Sequence, residues 1–143
     1  MASKIFTLNY SFKNNLEKVY DCVLDLKKFG EHHPYFTEVS ILKQSETHTE
    51  YHIKEKILVF GFIPQKPEYD AKVFEVEKNK HIRYTSSVMG KISLIINFYF
   101  TEPNAKGEIL LRENIHLEGN NLLCSILLST MKKAHLELFK KVG

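Results

Sequence analysis

Two glutamates interrupt faces that are otherwise apolar. Glu55 falls in the alternating set Tyr51, Ile53, Glu55, Ile57 and Val59, and Glu113 in the set Ile109, Leu111, Glu113, Ile115 and Leu117. In an extended chain such i, i+2 sets share one side, and an apolar side faces inward. A carboxylate there must be paired or protonated. Held protonated by its surroundings, it is placed to act as a general acid or base. Tyr84, on a face with Ile82 and Ser86, adds a hydroxyl. His135, close to Ala134 and Leu138 on an apolar helical arc, adds an imidazole that can donate to a ligand or serve as a base. Each group also has a plainer reading. A bulge can turn either glutamate to solvent, Arg83 or Arg112 can reach round a sheet edge to pair with it, and His135 can be a hydrogen-bonded core histidine.

Other chemistries lack their residues. The chain has seven histidines but neither HExxH nor CxxC spacing, so no metal site and no cofactor are expected. There is no GxGxxG, no P-loop and no GxSxG elbow. Cys22 and Cys124 lie far apart in apolar helical segments and read as buried free thiols of a reducing, cytoplasmic compartment. His32 and His33 precede Pro34, where they either rim a cavity mouth or form a surface turn.

Positioning these groups takes a sheet and a helix to cover it. Phe6, Leu8, Tyr10 and Phe12 alternate with polar residues and predict a half-buried strand over 5–12. Asn14 and Glu17 have capping-box spacing ahead of Leu16, Val19, Tyr20, Val23 and Leu24, which predicts a helix ending near Lys27. A short second helix follows and stops before Pro34. Strands are predicted over 38–44, 50–60, 69–77, 81–88, 91–101 and 108–118, joined by short polar turns such as Lys78-Asn79-Lys80 and Met89-Gly90. Links that short make antiparallel pairs. Ile92, Leu94, Ile96, Phe98 and Phe100 form a further inward set. Gly119-Asn120-Asn121 then breaks the last strand. Leu123, Leu127, Met131, Ala134 and Leu138 form one stripe on a terminal helix to Lys141, ~30 Å long at about 1.5 Å per residue.

The sum is α+β: a seven-stranded curved antiparallel sheet wrapped around a long C-terminal helix, in the order strand, two helices, six strands, helix. Residues 1–143 form one domain, enough to bury about 70% of the unfolded surface. A net charge of +3, spread among acids, lacks the basic stripe that nucleic acid requires. No stretch reaches the ~18 apolar residues of a membrane span. Met1-Ala2-Ser3-Lys4 runs into a strand without the apolar core of a signal peptide. The segment Val59-Phe60-Gly61-Phe62-Ile63-Pro64 is too apolar for an ordinary loop and marks a lip, a membrane contact or a subunit contact.

This order of elements resembles the START-like, helix-grip superfamily, also called SRPBCC, which includes the birch-allergen type. Local segments are similar too: Val23-Leu24-Asp25-Leu26-Lys27-Lys28-Phe29 through His33-Pro34, the strand Ile82-Arg83-Tyr84-Thr85-Ser86-Ser87, and the terminal Lys132-Lys133-Ala134-His135-Leu136-Glu137-Leu138-Phe139. The resemblance implies binding of lipids, sterols, quinones or polyketides, with a minority of members acting as cyclases, dehydratases or hydrolases.

A cavity between sheet and terminal helix is therefore expected to bind or carry a hydrophobic small molecule. Its candidate lining is Glu55, Glu113, Tyr84, His135, Tyr51, Ile53, Ile57, Leu94, Ile96, Phe98, Leu111, Leu127 and Met131, with His33, Phe60 and Phe62 at the entrance. One alternative is a cyclase or dehydratase that removes a proton next to a carbonyl with an inward carboxylate or histidine. Another is a protein-interaction module with no open cavity. A monomer and a homodimer both fit, since Leu122 and Ile126 lie opposite the helix's main stripe.

Overall fold

The computed structural model describes residues 2–13, 15–59, 62–88 and 90–142. Among these, nine strands and three helices follow in the order β1 (Ala2–Phe12), α1 (Leu16–Leu24), α2 (Leu26–His32), β2 (Phe36–Gln44), β3 (His48–Glu55), β4 (Ile57–Val59), β5 (Ile63–Gln65), β6 (Glu68–Glu77), β7 (His81–Val88), β8 (Ile92–Phe100), β9 (Ile109–Gly119) and α3 (Asn121–Val142). Seven strands make one sheet in the order β1-β9-β8-β7-β6-β3-β2, and every neighbouring pair is antiparallel.

The strand expected over 50–60 is two. β3 stops at Glu55, and β4 leaves the main sheet to pair with β5, Ile57 opposite Gln65 and Val59 opposite Ile63. The excess apolar character of that segment goes into a small hairpin standing beside the sheet. Phe60 lies outside the described residues.

Local chemistry sets the helix boundaries. α1 is capped by the Asn15 side chain, which accepts from the Glu17 amide at 2.8 Å, and the expected cap Asn14 lies outside the described residues. The first helix also ends earlier than its apolar pattern suggests. Asp25 is extended, closes α1 and caps α2 by accepting from the Lys27 amide at 2.9 Å. Asn120 opens α3, its side chain accepting from the Leu123 amide at 3.1 Å. Just before it, Gly119 takes a φ of 153°, and a Cβ there would stand 2.7 Å from the Lys91 carbonyl oxygen.

β1 and β2 are consecutive strands at opposite edges of the sheet, so α1 and α2 must carry the chain across it. They cross on the concave side and bury Val19, Tyr20, Val23, Leu26 and Phe29 there. Tyr20 fastens α1 to β6 by donating its hydroxyl to Glu75 at 2.5 Å. The inward residues of β7, β8 and β9, among them Ile82, Phe98, Ile109, Ile115 and Leu117, are wholly buried. α3 packs unevenly along its length. Ala134, His135, Leu138, Phe139 and Val142 of its second half are buried, whereas the first half buries Cys124 and leaves Leu123, Leu127, Leu128 and Met131 only partly covered.

Candidate functional site

Under the loosely packed stretch of α3 the sheet and helices line a partly open cavity of about 70 Å³. That holds several waters, each needing at least about 10–15 Å³, and is well below the ~300 Å³ of a drug-sized site. Its walls come from five directions. α2 and the chain after it supply Leu26, Phe29, His33, Tyr35 and Phe36, and β3 and β4 supply Ile53, Glu55 and Ile57. β6 and the residue before it supply Pro67, Tyr69 and Ala71, and β7 and β8 supply Tyr84, Ser86, Val88, Leu94 and Ile96. α3 closes it with Leu127, Thr130, Met131, Ala134 and His135.

The lining is mostly apolar, and its titratable side chains are connected. Glu113, fully buried on β9, takes His135 Nδ1 on one carboxylate oxygen at 2.5 Å and the Tyr10 hydroxyl on the other at 2.8 Å. Both glutamate oxygens are thus occupied, and the chain Tyr10–Glu113–His135 runs from the edge strand to the cavity. With Nδ1 committed to Glu113, Nε2 is the ring nitrogen of His135 left for a cavity guest. Burial, with the Glu113 charge and hydrogen bond added, pushes the Tyr10 hydroxyl far above its ordinary value, so Tyr10 stays a donor.

His33 meets His135 edge to face, ring centroids 5.7 Å apart, and stacks on Phe36 at 4.0 Å. It is 8% exposed, and its Nδ1 accepts the Tyr35 backbone N–H at 3.1 Å. Burial, reinforced by the neighbouring His135 charge, holds its pKa down at about 2. Glu55 accepts a hydrogen bond from the Tyr69 hydroxyl. Burial raises its pKa, opposed by the Tyr69 bond and by the charge of His135. Tyr84 contributes its ring to the wall, but its hydroxyl is committed to the Val23 carbonyl of α1.

Of the residues expected to line a cavity, Glu55, Tyr84, His135, Ile53, Ile57, Leu94, Ile96, Leu127 and Met131 do so. Of the expected entrance residues, His33 is built into the wall and Phe62 stands 73% exposed on the β4–β5 hairpin, outside the lining. Glu113, Tyr51, Phe98 and Leu111 are inward and buried, yet they are not among the lining residues. Alternation marks the whole inward face, and the cavity occupies only part of it. Glu113 stands behind His135, and Phe98 and Leu111 are in the packed core, Phe98 against Phe29, Tyr84 and Phe139. Tyr51 faces a separate shallow cleft with Leu24 and Asp25.

Neither arginine pairs with a buried glutamate. Arg83 donates to Asn97 at 3.0 Å and Arg112 lies 4.8 Å over the Tyr99 ring. Tyr10 and Tyr69 are not among the expected site residues. Tyr10 alternates with Leu8 and Phe12, so its inward side was readable, but its closeness to Glu113 depends on β1 pairing with β9 over a hundred residues away. Both cysteines are buried and free, and among the described residues no helix is long and apolar enough to cross a membrane and no cluster is fit for a metal ion.

No family model matches the chain, and no curated protein matches it in sequence. Its likeness is to solved structures. An aromatase/cyclase from Streptomyces sp. R1128 superposes with a TM-score of 0.76 at 8% identity, covering 99% of this chain and 94% of that one. A protein from Thermus thermophilus gives 0.74 at 13% identity over 97% and 94%. A START superfamily protein from Mycobacterium smegmatis gives 0.69 at 13% identity over 97% and 99%. The chain has the START-like helix-grip fold.

Proposed function

We propose that this protein binds a hydrophobic small molecule between the concave face of its sheet and α3. The observation that carries the reading is the cavity itself: an apolar hollow with His33, His135 and Glu55 among its titratable groups. Apolar contact supplies affinity, at roughly 25 cal/mol per Å² removed from water, and the polar groups fix orientation. The fold likeness to an aromatase/cyclase and to a START superfamily protein is consistent with such a role. Because the hollow is small, the guest is either compact or displaces part of α3.

Thermal unfolding with a panel of alkyl and aromatic compounds, alongside native mass spectrometry, tests the reading. A ligand at a hundred times its Kd stabilises the fold by about 2.7 kcal/mol. A panel that gives no shift, with no mass retained after gentle purification, removes the proposal.

The Tyr10–Glu113–His135 chain supports a second reading, an enzyme that removes a proton next to a carbonyl. A carboxylate holding one imidazole nitrogen orients the other toward a substrate, as a general base requires. Under this reading Glu113→Gln abolishes turnover and leaves ligand affinity largely intact. Parallel loss of both points to binding alone.

A further inference from the structure

The hydrogen bond that His33 makes to its own chain fixes what it can offer a guest. Nδ1 accepts the Tyr35 N–H, so that nitrogen carries a lone pair and no proton. A neutral imidazole with a bare Nδ1 has its proton on Nε2. The His33 ring is 8% exposed and lines the cavity, and no described side chain or backbone group accepts from its Nε2. The same nitrogen is not a sealed unpaired atom, since among the described residues no buried side-chain nitrogen or oxygen lacks a partner. It therefore opens onto space that a guest or water can occupy. The low pKa of this ring agrees with the neutral form.

A second feature limits the charge of the guest. No lysine or arginine lines the cavity, and Glu55 stands on its wall. A carboxylate head would find no lysine or arginine to pair with, and the imidazole of His135 is already paired with Glu113.

We propose that His33 Nε2–H is a positioning donor for the oxygen of an uncharged carbonyl group on an otherwise apolar ligand. This rests on the ligand-binding reading above and adds the chemical class of the guest's polar end.

Acetophenone and α-methylstyrene have nearly the same shape and differ in C=O against C=CH2, while benzoate carries the anionic head. Calorimetric titration of all three into the wild type and His33→Asn gives a double difference. Asn can still accept the Tyr35 N–H in the manner of an Asx turn, as Asn15 does for Glu17, but has no donor at the Nε2 position. The ratio of acetophenone to α-methylstyrene affinity is expected to fall about threefold to tenfold in His33→Asn, the worth of one neutral hydrogen bond. An unchanged ratio overturns the carbonyl assignment and leaves the ligand-binding reading standing. Benzoate binding more tightly than acetophenone also overturns it. Failure of acetophenone to bind the wild type overturns the carbonyl assignment, while the compound panel above decides the ligand-binding reading separately.

Two wild-type measurements decide the matter if His33→Asn does not fold. Long-range 15N–1H correlation should place the His33 proton on Nε2, and a proton on Nδ1 refutes the scheme. The 13C carbonyl resonance of bound acetophenone should move downfield from its position in an apolar solvent, and no movement refutes it.

Discussion

At the scale of single residues the cavity is governed by which hydrogen bonds are already taken. Glu113 has given both oxygens to Tyr10 and His135, and Tyr84 has given its proton to Val23. His33 is the group with most at stake in acid. Its folded pKa of about 2 lies below the ordinary 6.5, so the folded protein binds fewer protons than the unfolded chain in that window. Stability from this group is complete above pH 6.5 and falls as the pH drops toward 2, at about 1.4 kcal/mol per unit. Glu55 slopes the other way: its contribution is present below its ordinary 4.5 and is lost as the pH rises through its raised folded value. Comparing variants separates the two. Urea unfolding at about pH 7 and pH 4.5 should show wild type losing about 2.7 kcal/mol more than His33→Asn does. Equal losses would mean that His33 is not held neutral by its burial.

The same scale shows what a sequence can and cannot tell about a site. That Glu55 and Glu113 lie on inward faces was legible from period-2 alternation alone. Their partners were not, because Tyr69 reaches Glu55 and Tyr10 reaches Glu113 only through strand pairings. The role of His33 was equally hidden. A histidine before a proline reads as a cavity rim or a surface turn, and its place in the wall comes from Phe29, Phe36 and His135 converging on it from three elements.

At the scale of elements, the passage from β9 into α3 is the tightest point. Gly119 combines a φ of 153° with backbone 2.7 Å from where a Cβ would sit. Gly119→Ala should therefore cost about 2–3 kcal/mol, read as a lower urea midpoint, with the turn at Gly90 as control. A Cβ at Gly90 meets nothing within 4 Å, so Gly90→Ala bears only the strain of its own φ of 64°. If the two variants are equally stable, the Lys91 contact is not what requires glycine at 119. Strands and helices were themselves largely readable, and the exceptions are instructive. Unbroken alternation from Tyr51 to Val59 hid the break at Lys56, because alternation does not record which neighbour a strand pairs with. Asp25 ended α1 inside a helical pattern because one side chain can cap the next helix while its backbone closes the last.

At the scale of the molecule, the chain order was enough to anticipate the architecture. Consecutive β1 and β2 at opposite edges force a helical crossing, and that crossing plus a terminal helix covers the concave face from both ends. The extent of the hollow depends on side-chain volumes meeting from α2, α3 and the strands, which no periodicity encodes.

The uneven seating of α3 has a bearing on how anything gets in. Its last turns are anchored by Leu138, Phe139 and Val142, while the turns bearing Leu123, Leu127 and Met131 rest on the sheet with part of their apolar surface still wet. A visitor bulkier than 70 Å³ thus has an easy direction in which to make room. Tilting the front of the rod would uncover Cys124 as its one fully buried side chain, whereas lifting its rear would unseat the Glu113 pair. This seating predicts a box that opens at one end, so the length of a guest should be tolerated along that front and its width limited by the aromatic floor.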